Sequence, residues 1–363
     1  MELPATTKEI TVEWLNEVLH ENEFLGNNNI VALSRDPVGD GKGFHSDMAR
    51  LFLTYDKPID NLPLTMIAKL PISQSPLPRG VITEAFEREI NSYTKITSQS
   101  SIRVPKIIFS DMQPNKERYI LLMEDCGNYE EADPDLKGLS YIQAKIITEK
   151  IAAFHARWWD DDELSALSAL IDVSVNIDEE LLKELWETCT KKGDLKTVLP
   201  DDEWEVGYEI LAKYNQLLSN KRSKNLTICY YDFKPDNMFF DWKTPDNPLI
   251  ILDWGGARLS IGPYDLATVV GFCLPIETRK KHEKELIKIY HNQLMENGVL
   301  TYSYEECWED YLTGLLVRSS YPILLFSLHD ENGTERINIF ARQAFSRWFS
   351  AIMDNDAIRL LPK

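Results

Sequence analysis

The hydrophobic pattern of this chain changes near Cys126, and that change limits the possible folds more than any other feature. Before Cys126, short apolar runs such as DMARLFLTY and LTMIAKL alternate with turn residues, which is typical of β-strands. Residues 81–97 differ, because their apolar side chains recur every three or four positions, as on one face of a helix. Residues from about 30 to 125 therefore predict a five-stranded sheet with one helix after its third strand.

Beyond Cys126 the apolar spacing is helical over long stretches. A polar connector with glycine and proline, CGNYEEADPDLKG, comes first. One helix is predicted in YIQAKIITEKIAAFHARWW, and others at roughly 179–192, 201–219, 264–273, 276–297, 303–320 and 335–353. The prediction is an α+β chain with a small antiparallel-sheet lobe over 1–125, a connector over 126–139, and a larger, mostly helical lobe over 140–363.

Composition argues against several classes of protein. The formal net charge is −19, so the surface repels phosphate backbones and no nucleic acid is expected as a partner. The five cysteines are scattered without a CxxC pair, which is typical of reduced thiols in a cytoplasmic protein. The first residues lack the pattern of a signal peptide. The longest apolar region, LTGLLVRSSYPILLFSL, is interrupted by Arg318 and two serines, so we expect a soluble chain with no membrane span. No feature of the sequence indicates an oligomeric state.

Two apolar strands in the second half of the chain each lead into an aspartate. In YYDFKPDN, Asp232 follows the strand and Asn237 comes five residues later, while in ILDWGG Asp253 precedes two glycines. Phosphoryl transfer from a nucleotide needs a carboxylate that takes the proton of the acceptor hydroxyl, and acidic or amide ligands for Mg²⁺. Asp232 is therefore the candidate base, and Asn237 and Asp253 are the candidate metal ligands. The alternative is an Asx-rich turn between two strands.

Lys69 ends an otherwise apolar strand in MIAKLP, where it is either a phosphate ligand or an edge residue with an exposed amine. A phosphate-binding lysine of this kind should pair with a carboxylate on the following helix. Three glutamates lie there, and Glu89 is the first choice, Glu87 the second and Glu84 the third.

The stretch VGDGKGFHSD is a candidate loop over the phosphates. Its glycines permit close approach of the backbone, so Gly41, Gly43 and Ser46 are candidate phosphate contacts, although turns produce the same glycine pattern. In LLMEDCG, the carbonyl group of Glu124 and the N–H group of Cys126 are candidates for holding the edge of an adenine.

These motifs together resemble the aminoglycoside phosphotransferase and choline kinase-like superfamily, and most closely its ecdysteroid kinase-like (CHK kinase-like) branch. The resemblance covers most of the chain and rests on GKGFHSDMARLFLTY, FEREINSYTKI, LLMEDC, IAAFHARWW, YDFKPDN and ILDWGGA with PYDLA. It implies a bilobal protein-kinase-like fold whose first lobe binds ATP, with Mg²⁺ as the metal. It also implies that Asp232 is the base, that Glu89 is the partner of Lys69, and that Asp265 in PYDLA holds the catalytic loop.

One departure from the family pattern precedes the candidate base. Tyr230 and Tyr231 stand where the family has His and Gly. Tyrosine keeps an aromatic ring and a hydrogen-bonding tip, whereas Tyr231 is bulkier than the usual glycine. The sequence DFKPDN is also closer to a protein-kinase loop, which implies that Lys234 stabilises the charge of the transferred phosphate.

The sequence thus predicts an ATP-dependent phosphotransferase that moves the γ-phosphate to a hydroxyl of a small molecule, such as an aminoglycoside, a choline-like amine or a steroid. The alternatives are an inactive nucleotide-binding pseudokinase and a protein kinase, the latter disfavoured by the short segment after Asp253. The acceptor site is expected in residues 160–225 and the last helices. Six rings of the helical half could contact a cationic acceptor or belong to the core: Trp158, Trp159, Trp308, Tyr311, Tyr321 and Trp348.

Overall fold

The computed structural model describes residues 2–38, 46–58, 61–72, 79–116, 118–171, 179–191, 198–219, 223–327 and 335–363. The chain divides into two compact units. The sheet unit comprises Met1–Ser98, Arg103–Glu130 and Ile250–Gly255, and the helical unit comprises Gln99–Ile102, Glu131–Leu249 and Gly256–Lys363.

The sheet unit contains the predicted five-stranded antiparallel sheet. Its strands are β1 (Ile30–Pro37), β2 (Ser46–Tyr55), β3 (Thr65–Pro71), β4 (Ile107–Met112) and β5 (Tyr119–Glu124), in the spatial order β1-β2-β3-β5-β4. Helix α2 (Arg79–Asn91) follows the third strand and continues into a wider helical turn, Ser92–Ile96. The predicted sheet and its one helix are therefore present.

The central position of β3 determines which way its side chains face. Every residue from Met66 to Leu70 is buried, as expected of a strand covered on both faces. Met66, Ala68 and Leu70 pack in one core cluster with helix α1 (Val12–Glu21). Because side chains alternate along a strand, Ile67 and Lys69 face the other side of the sheet. Helix α1 was not predicted from the sequence. Its first turn is capped by the hydroxyl of Thr11, which accepts from the Trp14 N–H.

Helices make up most of the helical unit. They are α3 (Tyr141–Arg157), α4 (Leu164–Ile171), α5 (Glu179–Lys191), α6 (Asp201–Ala212), α7 (Tyr214–Ser219), α8 (Pro263–Ala267), α9 (Ile276–Glu296), α10 (Tyr304–Val317), α11 (Ser320–Ser327) and α12 (Glu335–Asp354). The predicted helix at 201–219 is divided at Lys213, and the one at 303–320 ends early, with α11 starting separately. Helices α3 and α10 each begin with a capping box, in which Ser140 pairs with Gln143 and Ser303 with Glu306.

The short strands near the two aspartates are β6 (Glu130–Glu131), β7 (Thr227–Cys229), β8 (Met238–Phe240), β9 (Leu249–Ile251) and β10 (Arg258–Ser260). Strand β7 does not pair with β8, as a simple turn at residues 230–237 would require. It pairs antiparallel with β10, with Cys229 opposite Arg258. This pairing leaves residues 230–237 as a loop that is anchored by side chains.

Among the described residues, no helix combines the length and the apolar character needed to cross a membrane. All five cysteines are buried and none forms a disulfide.

Candidate active site

Lys69 is a buried cation of the sheet unit. Its ammonium group lies 2.7 and 2.8 Å from the two carboxylate oxygens of Glu89 on α2, and 3.0 Å from Oδ1 of Asp253. The Lys69 and Glu89 side chains are only 9% and 3% exposed, whereas Asp253 is 43% exposed. Of the other candidate partners, Glu87 contacts Lys116 instead. One cation is thus shared between a buried and an accessible carboxylate.

Burial and neighbouring opposite charges shift the pKa values of Lys69 and Glu89 in opposite directions. Burial alone lowers the pKa of Lys69, but the carboxylates of Asp253 and Glu89 outweigh it and raise that pKa above its usual value. For Glu89, burial raises the pKa by more than the attraction of Lys69 lowers it, so the pKa of Glu89 is about 7. The cluster therefore favours a protonated lysine beside a buried glutamate that keeps its proton to a higher pH than usual.

We expect the substitution Glu89→Gln to remove a pH dependence of stability. The pKa of Glu89 is about 7 in the folded protein against an ordinary value of 4.5, so the folded state binds more protons between these values. The contribution of Glu89 to the free energy of unfolding therefore falls as pH rises from about 4.5 to about 7. Melting temperatures measured across this range should decline with pH less steeply in the variant than in the wild type.

The matched control is Glu87→Gln, which changes a carboxylate on the same helix that is 41% exposed and pairs with Lys116. This control should follow the wild-type pH profile. If Glu89→Gln also follows the wild-type pH profile, burial does not raise the pKa of Glu89 as we describe.

The segment after β9 is fixed to α2 by several contacts. The N–H group of Asp253 donates to the hydroxyl of Tyr93 at 3.0 Å, and Nε of Arg88 donates to the carbonyl oxygen of Gly255 at 2.9 Å. A β-carbon at Gly255 would lie 3.0 Å from the carbonyl oxygen of Ala85, which is unusually close. Asp253 itself has a left-handed backbone with φ 59°, a conformation that aspartate tolerates better than most residues.

Asp232 lies in the helical unit on the loop after β7, and its carboxylate accepts three hydrogen bonds. Oδ2 accepts from Nζ of Lys234 at 3.0 Å and from Nδ2 of Asn237 at 2.9 Å. Oδ1 accepts from the hydroxyl of Tyr321, at 2.9 Å, which belongs to α11. Lys234 and Asn237, two residues of the same loop, therefore share one oxygen of Asp232, and a residue from a distant helix donates to the other.

Asn237 ends the short helical turn Pro235–Asn237, and its amide nitrogen faces inward. The nitrogen donates to the Tyr230 hydroxyl at 2.9 Å, to the Asp232 carbonyl oxygen at 3.2 Å and to the Asp232 carboxylate. Within the part of the chain that the structure describes, the amide oxygen of Asn237 has no hydrogen bond. An oriented amide with an uncommitted oxygen fits the ligand chemistry of Mg²⁺.

Asp265 on α8 anchors the start of the loop at residues 230–237. Its carboxylate accepts from the N–H groups of Tyr230 and Tyr231 at 2.6 and 2.9 Å. His155 lies behind it, with Nε2 3.4 Å from Asp265 Oδ2 and Nδ1 2.7 Å from the hydroxyl of Tyr290. His155 and Asp265 are completely buried, so they form part of the support of the loop and not of its accessible surface.

The two tyrosines at the His-Gly positions take on distinct roles. Tyr230 is buried, and its hydroxyl accepts from Asn237. Tyr231 has a left-handed backbone with φ 72°, the conformation that a glycine would adopt without strain. The guanidinium carbons of Arg258 and Arg318 lie over the Tyr231 ring, 3.9 and 3.6 Å from its centroid. Arg318 also donates to the Tyr231 carbonyl oxygen.

The remaining predicted nucleotide contacts lie in the sheet unit or outside the described residues. Gly41 and Gly43 are outside the described residues. Ser46 is the first residue of β2 and is paired with Pro71. Glu124 ends β5, and its N–H group donates to the carbonyl oxygen of Lys106. Cys126 follows in a short turn, where burial raises the pKa of its thiol to about 12.

Several residues of this site were not predicted from the sequence to belong to it. The sequence placed Tyr93 only on a face of a helix and Arg318 only as an interruption of an apolar run, and it gave Arg258 no role. Tyr321 was counted as one of six rings, without a link to Asp232, 89 residues away. Of those six rings, Trp158, Tyr311 and Trp348 are fully buried core residues, whereas Trp159, Trp308 and Tyr321 are partly exposed.

Comparison with protein families and curated sequences finds similarity over part of the chain. The model of the ecdysteroid kinase-like family matches residues 161–301. Calcium-dependent protein kinase 5 of Plasmodium falciparum is 30% identical over 122 residues, and its counterpart in Plasmodium berghei is 28% identical over 122 residues. Each match covers 33% of this chain and 19% of the relative, so the chain spans about a fifth of the length of these curated relatives.

Solved structures match almost the whole chain. Wild-type aminoglycoside 2′-phosphotransferase-IIIa, solved as its GDP complex, has a TM-score of 0.53 at 10% identity, covering 92% of this chain and 97% of that one. The microcompartment-associated aminopropanol kinase has a TM-score of 0.51 at 13% identity, covering 90% and 94%. These likenesses confirm the predicted α+β, protein-kinase-like fold. With the family match, they confirm the predicted resemblance of this chain to the aminoglycoside phosphotransferase and choline kinase-like superfamily and to its ecdysteroid kinase-like branch.

Proposed function

We propose that this protein is an ATP- and Mg²⁺-dependent kinase that transfers the γ-phosphate to a hydroxyl of a small molecule. The observation that carries this proposal is the buried Lys69 ammonium held by both Glu89 and Asp253. A structural lysine at a strand edge would extend its amine to water. A lysine held between a helix carboxylate and a second, accessible carboxylate is instead pre-positioned for phosphate and metal chemistry.

The sheet unit supplies the nucleotide contacts in this proposal. Lys69, oriented by Glu89, contacts the α- and β-phosphates, and Ser46 together with Gly41 and Gly43 contributes to the loop over them. The backbone of Glu124 and Cys126 contacts the adenine edge. Asp253 and the uncommitted amide oxygen of Asn237 are the metal ligands that we propose. Mg²⁺, when bound, neutralises the charge that develops on the phosphate oxygens.

The catalytic loop of the helical unit supplies the proton chemistry. Asp232 accepts the proton of the acceptor hydroxyl as the oxygen of that hydroxyl forms its bond to the γ-phosphorus and the bond between that phosphorus and the leaving oxygen of ADP breaks. Lys234 lies 3.0 Å from Asp232 and adds positive charge beside the transferred group. Asp265 supports the loop backbone through the N–H groups of Tyr230 and Tyr231, so the base is oriented before an acceptor arrives.

For the acceptor, we infer a neutral or cationic small molecule and assign its binding to residues 160–225 and the last helices of the helical unit. The net charge of −19 disfavours an anionic acceptor. The partly exposed rings of Trp159, Trp308 and Tyr321 are the candidates for contact with an amine or an apolar alcohol. Residues 254–262 separate Asp253 from α8, and β10 occupies three of them, which leaves little chain for binding a peptide substrate.

We further infer that the protein acts in the cytoplasm. The support is that five buried thiols without a disulfide are typical of a reducing compartment.

The test has two stages. Melting temperature is first measured with ATP alone and with ATP and Mg²⁺, and we expect the metal to increase the stabilisation by ATP. Amino sugars, choline-like amines and sterols are then screened for acceptor-dependent release of ADP, with Asp232→Asn as the inactive control. Nucleotide binding without turnover of any acceptor would favour an inactive nucleotide-binding protein, and the absence of nucleotide binding would contradict the proposal.

A further inference from the structure

The contact between Tyr321 and Asp232 suggests a role beyond support. We propose that, without an acceptor, the Tyr321 hydroxyl occupies the position of the acceptor hydroxyl at Oδ1 of Asp232. There it keeps water away from this oxygen, and an arriving acceptor replaces it. The inference rests on the proposed function, because it takes Asp232 as the base.

The two oxygens of Asp232 are occupied unequally. Oδ2 accepts from both Lys234 and Asn237, and a carboxylate oxygen has two lone-pair directions. Oδ1 accepts from Tyr321 alone among the described residues. An acceptor hydroxyl that approaches Asp232 would therefore find Oδ1 as the available oxygen, and Tyr321 is the group already bonded to it.

The chemistry of Tyr321 suits a substitute for an alcohol. Burial, together with the nearby charge of Asp232, raises the pKa of Tyr321 well above its usual value, so its hydroxyl stays protonated and donates. It presents one O–H group to the base, as an alcohol acceptor does. Water is the smaller competitor for the same position, and a kinase must exclude it because attack by water consumes ATP without a product.

The α10–α11 junction positions Tyr321 beside the loop that carries Asp232. Arg318, the residue after α10, stacks on the Tyr231 ring and donates to the Tyr231 carbonyl oxygen, while Tyr321 contacts the next loop residue, Asp232. The N–H group of Tyr321 also donates to the Arg318 carbonyl oxygen at 3.0 Å. The junction is thus attached at two consecutive loop residues, so the position of Tyr321 depends on the packing of its helix.

Helix α11 connects this contact to the region assigned to the acceptor. It packs against α5 and α12, the first of which lies within residues 160–225. Binding of an acceptor against these helices could be transmitted to Tyr321 by a shift of α11, which would release Oδ1 when an acceptor is present.

The test is the hydrolysis of ATP without any acceptor. In this reaction the water oxygen forms a bond to the γ-phosphorus, the bond to ADP breaks, and a water proton passes to Asp232. We expect Tyr321→Phe to raise the rate of phosphate release about threefold to tenfold, the factor that corresponds to an ordinary hydrogen bond. The double variant Tyr321→Phe/Asp232→Asn should lose this increase.

The matched control is Ser319→Ala. Its hydroxyl donates to the carbonyl oxygen of Leu316 at 2.7 Å, so it belongs to the same junction without contacting Asp232. This control should hydrolyse ATP at the wild-type rate. If the control raises the rate of ATP hydrolysis as much as Tyr321→Phe does, the inference is overturned. It is also overturned if the wild type and Tyr321→Phe hydrolyse ATP at equal rates, or if neither hydrolyses it.

A second measurement needs no turnover. Tyrosine labelled with ¹³C at Cζ gives one resonance for each ring, and the resonance missing from Tyr321→Phe identifies Tyr321. We expect this resonance to move in Asp232→Asn, because its hydrogen-bond partner loses a charge. An unmoved resonance would overturn the inference. Failure of the proposed function is seen separately, as the absence of stabilisation of the wild type by ATP and Mg²⁺.

Discussion

Asp232→Asn should lower acceptor phosphorylation by about 10²–10⁴-fold, the usual cost of losing a general base. The fold should be retained, because asparagine can keep the observed hydrogen bonds. Its amide oxygen can accept from Lys234 and Asn237, and its amide nitrogen can donate to Tyr321, whose hydroxyl can also act as an acceptor. The measurements are kcat for an acceptor found by the screen and the melting temperature with ATP and Mg²⁺.

The control for this variant is Asp236→Asn. Asp236 belongs to the same loop but pairs with Arg336 at 2.9 Å, so its loss tests general damage to the loop. We expect its kcat to remain within a few-fold of the wild type, because the Asp236 side chain pairs with Arg336 and contacts neither Asp232 nor Asn237. Retention of more than about a tenth of wild-type kcat by Asp232→Asn would contradict its role as the base.

Asp253→Ala should abolish the additional affinity for ATP that Mg²⁺ provides, and should lower transfer by about 10²–10³-fold or more, as expected when electrostatic stabilisation of the transferred group is removed. The reason is the accessible Asp253 carboxylate, which is 43% exposed and paired with Lys69. Calorimetric titration with ATP, with and without Mg²⁺, measures the first effect.

A glycine variant separates this loss from backbone strain. Asp253 has φ 59°, where alanine is strained and glycine is not. Asp253→Gly should therefore lose the same Mg²⁺ effect while melting at a temperature equal to or above that of Asp253→Ala. A variant that keeps the wild-type Mg²⁺ effect would show that Asp253 is not a metal ligand.

Local spacing was sufficient to predict most of the elements. The short apolar run around Met66 and the helical spacing around Phe86 correspond to β3 and α2. The division of the 201–219 helix at Lys213 and the pairing of β7 with β10 were not predicted. Strand pairing depends on contacts between segments far apart in sequence, and hydrophobic periodicity does not contain that information.

The sequence by itself determined which residue types stand at the strand ends: Lys69 in β3, Asp232 after β7 and Asp253 after β9. It favoured Glu89 over Glu87 as the partner of Lys69, through the resemblance of its helix motif to a known family, but it could not show the contact, which depends on how α2 lies against the sheet. Only the tertiary structure shows that Glu89 reaches Lys69 and that Tyr321 reaches Asp232. The physical reason is that spacing along a chain specifies the face of an element, whereas the partner of that face is selected by packing between elements distant in sequence.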